Sequence, residues 1–462
     1  MASSSVILIS LPVLRRHQHF YLEIKNKILS EGLEPLFFST CEVNASYWSQ
    51  VLEVKVYAPP YRSLSNGKFS KKDWDDLVKK GNDSYSTVVS LKNIYTVQQA
   101  QQPQRFRDRT AFDVALNNAY EYLSTLVSEK NVIHAFNTAA ALDYDNFIFN
   151  WVVASLNIKI IFLSYSPVAD YELSFSSKYY SHYLEREPSE TIANRVDELI
   201  NGNQRKDPNS GYIVARQKDK FLTVRRFISH LKLAYLTPGA SVGRLIINTF
   251  RRWVVNYCPN RIILALIKED ILNQNSKADV IFIGTTKNES FFIASKYFNT
   301  YITEICDFAK SNPNLVCVYK PHPATLHQYF MYAELRKLQA NGVIISMEPS
   351  NFSNWGRLKF IVGLSSSTLI HASLRGIPTY CLEPGLHEYF GVQKLDSFSE
   401  ISKLVSLDHT EMKVNDVDRA KVSRIFFKGI QRFYNNDAAT QAATSVVEAI
   451  ILSANIDKGE VR

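Results

Sequence analysis

Ser5-Val6-Ile7-Leu8-Ile9-Ser10-Leu11, residues 20–29, and then Glu34-Pro35-Leu36-Phe37-Phe38-Ser39 together decide the fold class. The first run is short, apolar and rich in β-branched residues, which reads as a buried strand. Phe20, Ile24, Ile28 and Leu29 then recur at helical spacing, and Gly32 supplies the stop. A second apolar run follows at once. Strand, helix and strand in such quick succession form the unit of a parallel, doubly wound sheet.

Working outward, the spacing predicts a helix over 120–127, a strand over 132–136, a helix over 146–156 and a buried strand over 158–164. The alternation restarts with the strand ADVIFIG at 278–284 and a helix over 291–310. Strands at 316–320, 343–345 and 360–363, a helix at 368–375 and a strand at 379–382 complete the series. A last helical segment, 438–453, is placed to cross back to the first half. The expected architecture is α/β, with Rossmann-like domains over 1–205 and 276–462 joined by a mainly helical linker over 206–275.

Composition bounds the function. The chain has 462 residues, 46% hydrophobic and 21% charged, enough to bury large cores and incompatible with intrinsic disorder. No run of about 18 apolar residues is present, so no bilayer-spanning helix is expected. Residues 1–10 carry no Lys or Arg before their apolar stretch, while Arg15, Arg16 and His17 follow it. That is not the order of a signal peptide, and a cytoplasmic chain is expected. Five scattered cysteines, Cys41, Cys258, Cys306, Cys317 and Cys381, show no CxxC spacing and read as reduced packing residues.

The net charge of +9 is local in origin. Between Arg216 and Lys268 stand eleven Lys or Arg against one acid, Asp219, a balance of +10. Phe227, Leu231, Ile246, Phe250, Trp253 and Val254 interleave with these charges. Such a stretch suits an anionic surface, either inner-membrane headgroups or a polyanionic ligand. The plain alternative is a solvated helical hairpin between domains. No nucleic-acid module accompanies the charge, so no nucleic-acid partner is expected.

Three loops offer chemistry. In Val318-Tyr319-Lys320-Pro321-His322-Pro323 an apolar strand ends in a lysine and a histidine held between prolines. Proline fixes φ and restricts its predecessor, so His322 is stiffly mounted where open α/β sheets bind ligands. An imidazole beside an ammonium can grip a phosphate or stabilise one that departs. In Gly363-Leu364-Ser365-Ser366-Ser367-Thr368 hydroxyls gather at a helix start, an anion site or else a serine-rich cap without a ligand. The third loop, Gly284-Thr285-Thr286-Lys287-Asn288-Glu289-Ser290, again places small and hydroxyl residues after a strand.

The YKPHP strand end, followed by GLSSSTLIHASLRGIPTYCLEPG, resembles the C-terminal half of bacterial capsule and lipopolysaccharide glycosyltransferases of the GT-B type that use CMP-activated ulosonic acids such as Kdo or sialic acids. A weaker likeness extends to IFIGTTKNES and to the opening strand, helix and strand. The resemblance implies two Rossmann-like domains facing a cleft. It also implies a phosphate grip by His322 and by Ser365, Ser366 and Ser367, with Lys320, Gly284, Thr285 and Thr286 beside them. Glu383, after the strand 379–382, is placed either to reach a ribose hydroxyl in such a site or to cap the loop that follows. The implied partners are a nucleotide sugar and a glycan or glycolipid acceptor.

The sequence also departs from that pattern. Related sialyltransferases carry two acids followed by glycine in the first half, and no such triplet occurs here. Where retaining capsule Kdo transferases have an acid, this chain has Ser164-Tyr165-Ser166-Pro167. The general base therefore falls to acids near strand ends of the first domain, Asp170 foremost, then Asp143, with Asp145 and Glu172 behind. Asp143-Tyr144-Asp145 spells a metal-binding DxD, but a lysine, histidine and helix start already answer the phosphate charge, and no metal or other cofactor is expected. Arg15, Arg16 and His17, with His19, either meet an anionic acceptor or are plain surface charge. GxGxxG, Walker, HExxH and GxSxG sequences are all absent, which removes support for nicotinamide, P-loop, zincin and hydrolase chemistry. Two alternatives stay open. One is a CDP-polyol phosphotransferase of the teichoic-acid type, whose usual Asp-Tyr-Ser-Ser is here Gly363-Leu364-Ser365-Ser366. The other is a non-catalytic polyanion- or membrane-binding protein.

Overall fold

β1 (Val6–Ser10) is buried at every position, as a parallel strand covered on both faces must be. It belongs to a computed structural model that describes residues 5–12, 17–40, 42–59, 109–138, 144–165, 172–178, 182–205, 278–285, 295–322, 329–346, 358–383, 385–407, 417–428 and 435–459. After β1 come α1 (Gln18–Ser30), β2 (Glu34–Phe38), α2 (Glu42–Leu52), β3 (Val56–Tyr57), α3 (Arg109–Lys130), β4 (Val132–Asn137) and α4 (Tyr144–Ser155). β5 (Lys159–Tyr165), β6 (Glu172–Lys178), β7 (His182–Tyr183) and α5 (Glu190–Arg205) follow. The next described elements are β8 (Val280–Ile283), α6 (Tyr301–Ser311), β9 (Cys317–Lys320), α7 (Tyr329–Ala340) and β10 (Ile344–Ile345). Then come β11 (Phe360–Gly363), α8 (Ser367–Ser373), β12 (Thr379–Cys381), a 3-10 turn (Leu386–Phe390), β13 (Gln393–Lys394) and α9 (Glu400–Val405). The last are α10 (Arg419–Ile425), β14 (Phe427–Lys428) and α11 (Asn436–Gly459).

The described residues up to Arg195 and from Ala420 onward form one unit, and those from Val196 to Arg419 form another. In the first, the sheet order is β14-β6-β5-β4-β1-β2-β3, with β7 also on β6. β1 to β5 are parallel, whereas β6 runs antiparallel to β5 and β14 antiparallel to β6. Strand order reverses between β1 and β4. Gly32, at φ 73°, ends α1, with the Leu33 N–H reaching the Ile28 carbonyl at 3.1 Å. This is the Schellman geometry that a glycine allows at no steric cost.

α11 packs against α1. Ala442, Ala443, Val446 and Ile450 share one core with Phe20, Ile24 and Ile28, all with no exposed surface. The alanines let the two helix axes approach, and each large apolar side chain so buried contributes about 1.5–3 kcal/mol. Around β14, the Arg186 guanidinium lies 4.2 Å from the Phe427 ring centre and pairs with Glu448 of α11. Phe175 of β6 meets Phe427 edge to face at 4.9 Å. Residues from Ala420 therefore complete the first unit, whereas the sequence reading keeps 276–462 together.

The second unit holds a six-stranded sheet in the order β10-β9-β8-β11-β12-β13, parallel throughout. The chain starts at the centre, grows outward to β10, returns beside β8 and grows the other way. Both units are thus built on a Rossmann-like sheet whose parallel strands reverse order at its centre. Of the helix expected over 291–310, residues 291–294 lie outside the described residues, 295–300 form a turn, and α6 begins at Tyr301. Ahead of it the Ser295 hydroxyl accepts the Tyr297 N–H at 2.9 Å, a local side-chain bond that competes with helix formation. Cys306, Cys317 and Cys381 are buried free thiols, and burial pushes the Cys317 thiol up to about 12. Among the described residues no helix is long and apolar enough to cross a membrane. Among them, too, no three His, Cys, Asp or Glu side chains gather as a metal set would. The basic segment, with its eleven Lys or Arg from Arg216 to Lys268, lies outside the described residues.

Candidate functional site

Four strands of the second sheet end level. Ile283 of β8 pairs with Lys320 of β9 on one side and Gly363 of β11 on the other, and Gly363 pairs with Cys381 of β12. The chain therefore leaves the sheet at one edge through Gly284 and Thr285, Pro321 and His322, Leu364 and Ser365, and Leu382 and Glu383. With strands about 4.8 Å apart, Lys320 and Gly363 stand roughly 10 Å apart and Cys381 one strand further. β8 and β11 flank the reversal of strand order, the crevice in which open α/β sheets take ligands.

Local packing holds each loop. The Gly284 N–H donates to the Lys320 carbonyl at 2.8 Å, so the ladder continues past β8. A Cβ at Gly284 would lie 2.3 Å from Tyr319 Oη and 2.7 Å from its Cζ, so a side chain is sterically barred. Thr285 follows, 4% exposed, with its hydroxyl buried and making no hydrogen bond. Across the crevice, Leu382 N–H donates to Gly363 O at 3.0 Å and Glu383 N–H to Leu364 O at 3.2 Å. These two bonds carry Glu383 out on a rigid extension of β12. Ser366 is extended at φ −161° and caps α8, its Oγ accepting the Thr368 N–H. The cap uses a lone pair of that oxygen and leaves its proton able to donate to an anion.

Burial sets the electrostatics. It pushes the Lys320 ammonium down to about 8, which still leaves most of it charged at pH 7. His322 is lowered from its usual value, first by burial and then by the Lys320 charge, so its imidazole is neutral at pH 7. Burial raises Glu383, opposed by the Ser295 hydrogen bond and by the charges of Lys296 and Lys394. The edge is thus cationic on the β9 side and carries a carboxyl group on the β12 side.

Sequence reading missed two side chains that brace Glu383. The Ser295 hydroxyl donates to Glu383 Oε1 at 2.5 Å. His387, 2% exposed, places Nε2 at 2.9 Å from the Glu383 carbonyl. A carbonyl only accepts, so that nitrogen carries the ring proton, and burial pushes the imidazole down to about 4, which keeps it neutral. Gly385 makes room for the ring, since a Cβ there would lie 2.7 Å from His387 Cε1 and 3.6 Å from Ser365 Oγ. The Ser365 loop and the Glu383 loop are therefore neighbours. A glycine two residues before a histidine was the only sequence signal for His387.

Of the residues singled out by sequence, the structure brings Lys320, His322, Gly284, Thr285, Ser365, Ser366, Ser367 and Glu383 to one sheet edge. Thr286, Asp143, Asp170, Arg15 and Arg16 lie outside the described residues. Asp145 falls in α4 and Glu172 starts β6. His17, exposed and at φ 64°, opens α1 just beyond the carboxyl end of β1. Near it, Asn44 Nδ2 and Trp48 Nε1 each donate to the Pro12 carbonyl at 3.1 Å, and Tyr21 Oη lies 3.2 Å from Thr138 Oγ1. The first unit thus also has a polar, fixed carboxyl edge at its strand reversal.

No family model and no curated protein matches the chain. Solved structures do. KpsC of Thermosulfurimonas dismutans, a β-Kdo 2,7-transferase, is 12% identical with a TM-score of 0.32, covering 71% of this chain and 89% of its own. A glycosyltransferase from Rickettsia africae is 9% identical with a TM-score of 0.27, covering 98% and 97%. UDP-GlcNAc 2-epimerase of Methanocaldococcus jannaschii, in complex with UDP-GlcNAc and UDP, is 11% identical with a TM-score of 0.26, covering 90% and 97%.

Proposed function

We propose that the chain is a glycosyltransferase whose second unit binds a nucleotide-activated sugar at the carboxyl edge of its sheet. The donor is a CMP-activated ulosonic acid of the Kdo or sialic type, and the acceptor is a glycan or glycolipid of a bacterial surface polysaccharide. One observation supports this above the others: Ile283, Lys320, Gly363 and Cys381 end their strands in register. A phosphate against Lys320, His322 and the Ser365–Ser366 hydroxyls would meet one ammonium and several neutral donors, which suits a leaving group that gains charge. As the acceptor oxygen bonds the anomeric carbon, the bond to phosphate breaks and its electron pair leaves with CMP. The acceptor's proton passes to a first-unit carboxylate, with Asp170 and then Asp143 as the candidates. Lys320 answers the phosphate charge in this scheme, so no metal is invoked. The basic segment 216–268 attracts the chain to the anionic face of the inner membrane, an attraction that salt weakens.

The test is nucleotide release from CMP-Kdo, CMP-sialic acid, UDP-GlcNAc, GDP-mannose and CDP-glycerol, each with capsule-type acceptors. CMP is expected from the ulosonic donors, and His322→Ala should slow turnover about a hundredfold or more. Release from no donor, or unchanged turnover in His322→Ala, overturns the assignment. Transfer from CDP-glycerol alone selects the polyol-phosphate alternative.

A further inference from the structure

Ser295 is 3% exposed in the turn before α6, and its hydroxyl joins that turn to Glu383. Its oxygen accepts the Tyr297 N–H at 2.9 Å, which fixes the atom in place. Its proton then goes to Glu383 Oε1, 2.5 Å away. Glu383 is held at its other end as well, by the Leu364 carbonyl on its N–H and by His387 on its own carbonyl. A surface glutamate samples several rotamers, whereas this one is tied at backbone and carboxylate. With Oε1 anchored, Oε2 is the oxygen left to meet a hydroxyl pair.

We infer that Ser295 is a positioning residue that aims Glu383 at the two ribose hydroxyls of the nucleotide and thereby selects ribonucleotides over deoxyribonucleotides. This rests on the nucleotide-donor reading given above. The charge layout assigns the direction of the ligand. A phosphate beside Glu383 would face a carboxylate whose charge already engages Lys296 and Lys394, while a phosphate beside Lys320, three strands away, faces an ammonium. The sugar ring of the nucleoside then lies toward β12, where an acceptor-only carboxylate matches the two donors of a vicinal diol. The Ser295 bond also opposes the burial that raises Glu383, and so helps keep the acceptor-only form.

The experiment is calorimetric titration of the full chain with CMP, 2′-deoxy-CMP and 3′-deoxy-CMP, repeated with UDP and its deoxy forms. Wild type, Ser295→Ala and Ser295→Thr are compared. Wild type should prefer the ribonucleotide by about tenfold or more, the scale of one hydrogen bond to a charged group. Ser295→Ala should bring that ratio to within about twofold, leaving affinity for the deoxy forms unchanged, and Ser295→Thr should restore it. A merely structural serine would weaken all nucleotides alike. If Ser295→Ala does not melt cooperatively, Ser295→Cys, which keeps the volume and weakens the donor, must show the same loss of preference. A ribonucleotide preference that survives in these variants overturns the inference and leaves the nucleotide site standing. Wild type that binds no nucleotide overturns both.

Discussion

Lys320→Met should make the protein more stable at neutral pH and worse at holding a nucleotide. Lys320 ends a buried strand, and burial takes its ammonium from 10.5 in the unfolded chain down to about 8 in the fold. The unfolded chain therefore binds this proton more tightly, and stability rises with pH between about 8 and 10.5. Below pH 8 the whole penalty stands. At 1.36 kcal/mol per pKa unit it amounts to about 3 kcal/mol at pH 7. Methionine keeps the length of the stem without the charge, so the variant should gain up to that amount. Urea unfolding of both proteins at pH 7 and pH 10.5 measures it, since the midpoint moves in proportion to stability at constant slope. The gain should be large at pH 7 and vanish at pH 10.5. Nucleotide affinity should fall in the variant at pH 7, and in wild type it should decline above pH 8 as Lys320 loses its proton. A variant less stable than wild type at pH 7, or one equally stabilised at both pH values, would refute the burial cost.

Three further outcomes are expected. Gly284→Ala places a methyl 2.3 Å from Tyr319 Oη and should cost about 1–3 kcal/mol in thermal melting; adding Tyr319→Phe should recover only part, because ring carbon Cζ remains 2.7 Å away. Ser366→Ala should cost about 1 kcal/mol by loss of the α8 cap, and Ser366→Asp should keep the cap yet repel a phosphate, so that melting is preserved and nucleotide titration is not. A chain ending before Asn436 bares Phe20, Ile24 and Ile28, and hydrogen exchange should find β1, β2 and β4 unprotected while β8, β9, β11 and β12 stay protected.

The parallel strands were legible because each is a short, mostly apolar run set off by turn residues or a helix. Val6–Ser10, Glu34–Phe38 and Phe360–Gly363 fall within a residue or so of their expected ends. The antiparallel rim was not. β14 is two residues long and exists only through its register with β6, Phe427 against Leu173, a pairing of distant segments that no local pattern announces. Ser295 was lost for a related reason: apolar spacing around it suggests a helix, and the Ser295–Tyr297 bond that prevents one shows only in the fold. At the candidate site, the ligand-type loops could be read from residue types after strands. What the sequence did not show was why Gly284 must be glycine, since Tyr319 of the neighbouring strand supplies the reason.

The return of α11 to α1 has a consequence for synthesis. The first sheet emerges early but lacks β14 and its covering helix until residue 459 is made, whereas every strand of the second sheet is complete by Lys394. At about 5–20 residues per second the ribosome takes on the order of ten to fifty seconds to travel from Arg205 to that point. Throughout that interval Phe20 and Ile24 have no permanent cover, so the half that starts first must finish last. A nascent-chain binder that shields apolar helix faces would find its target there.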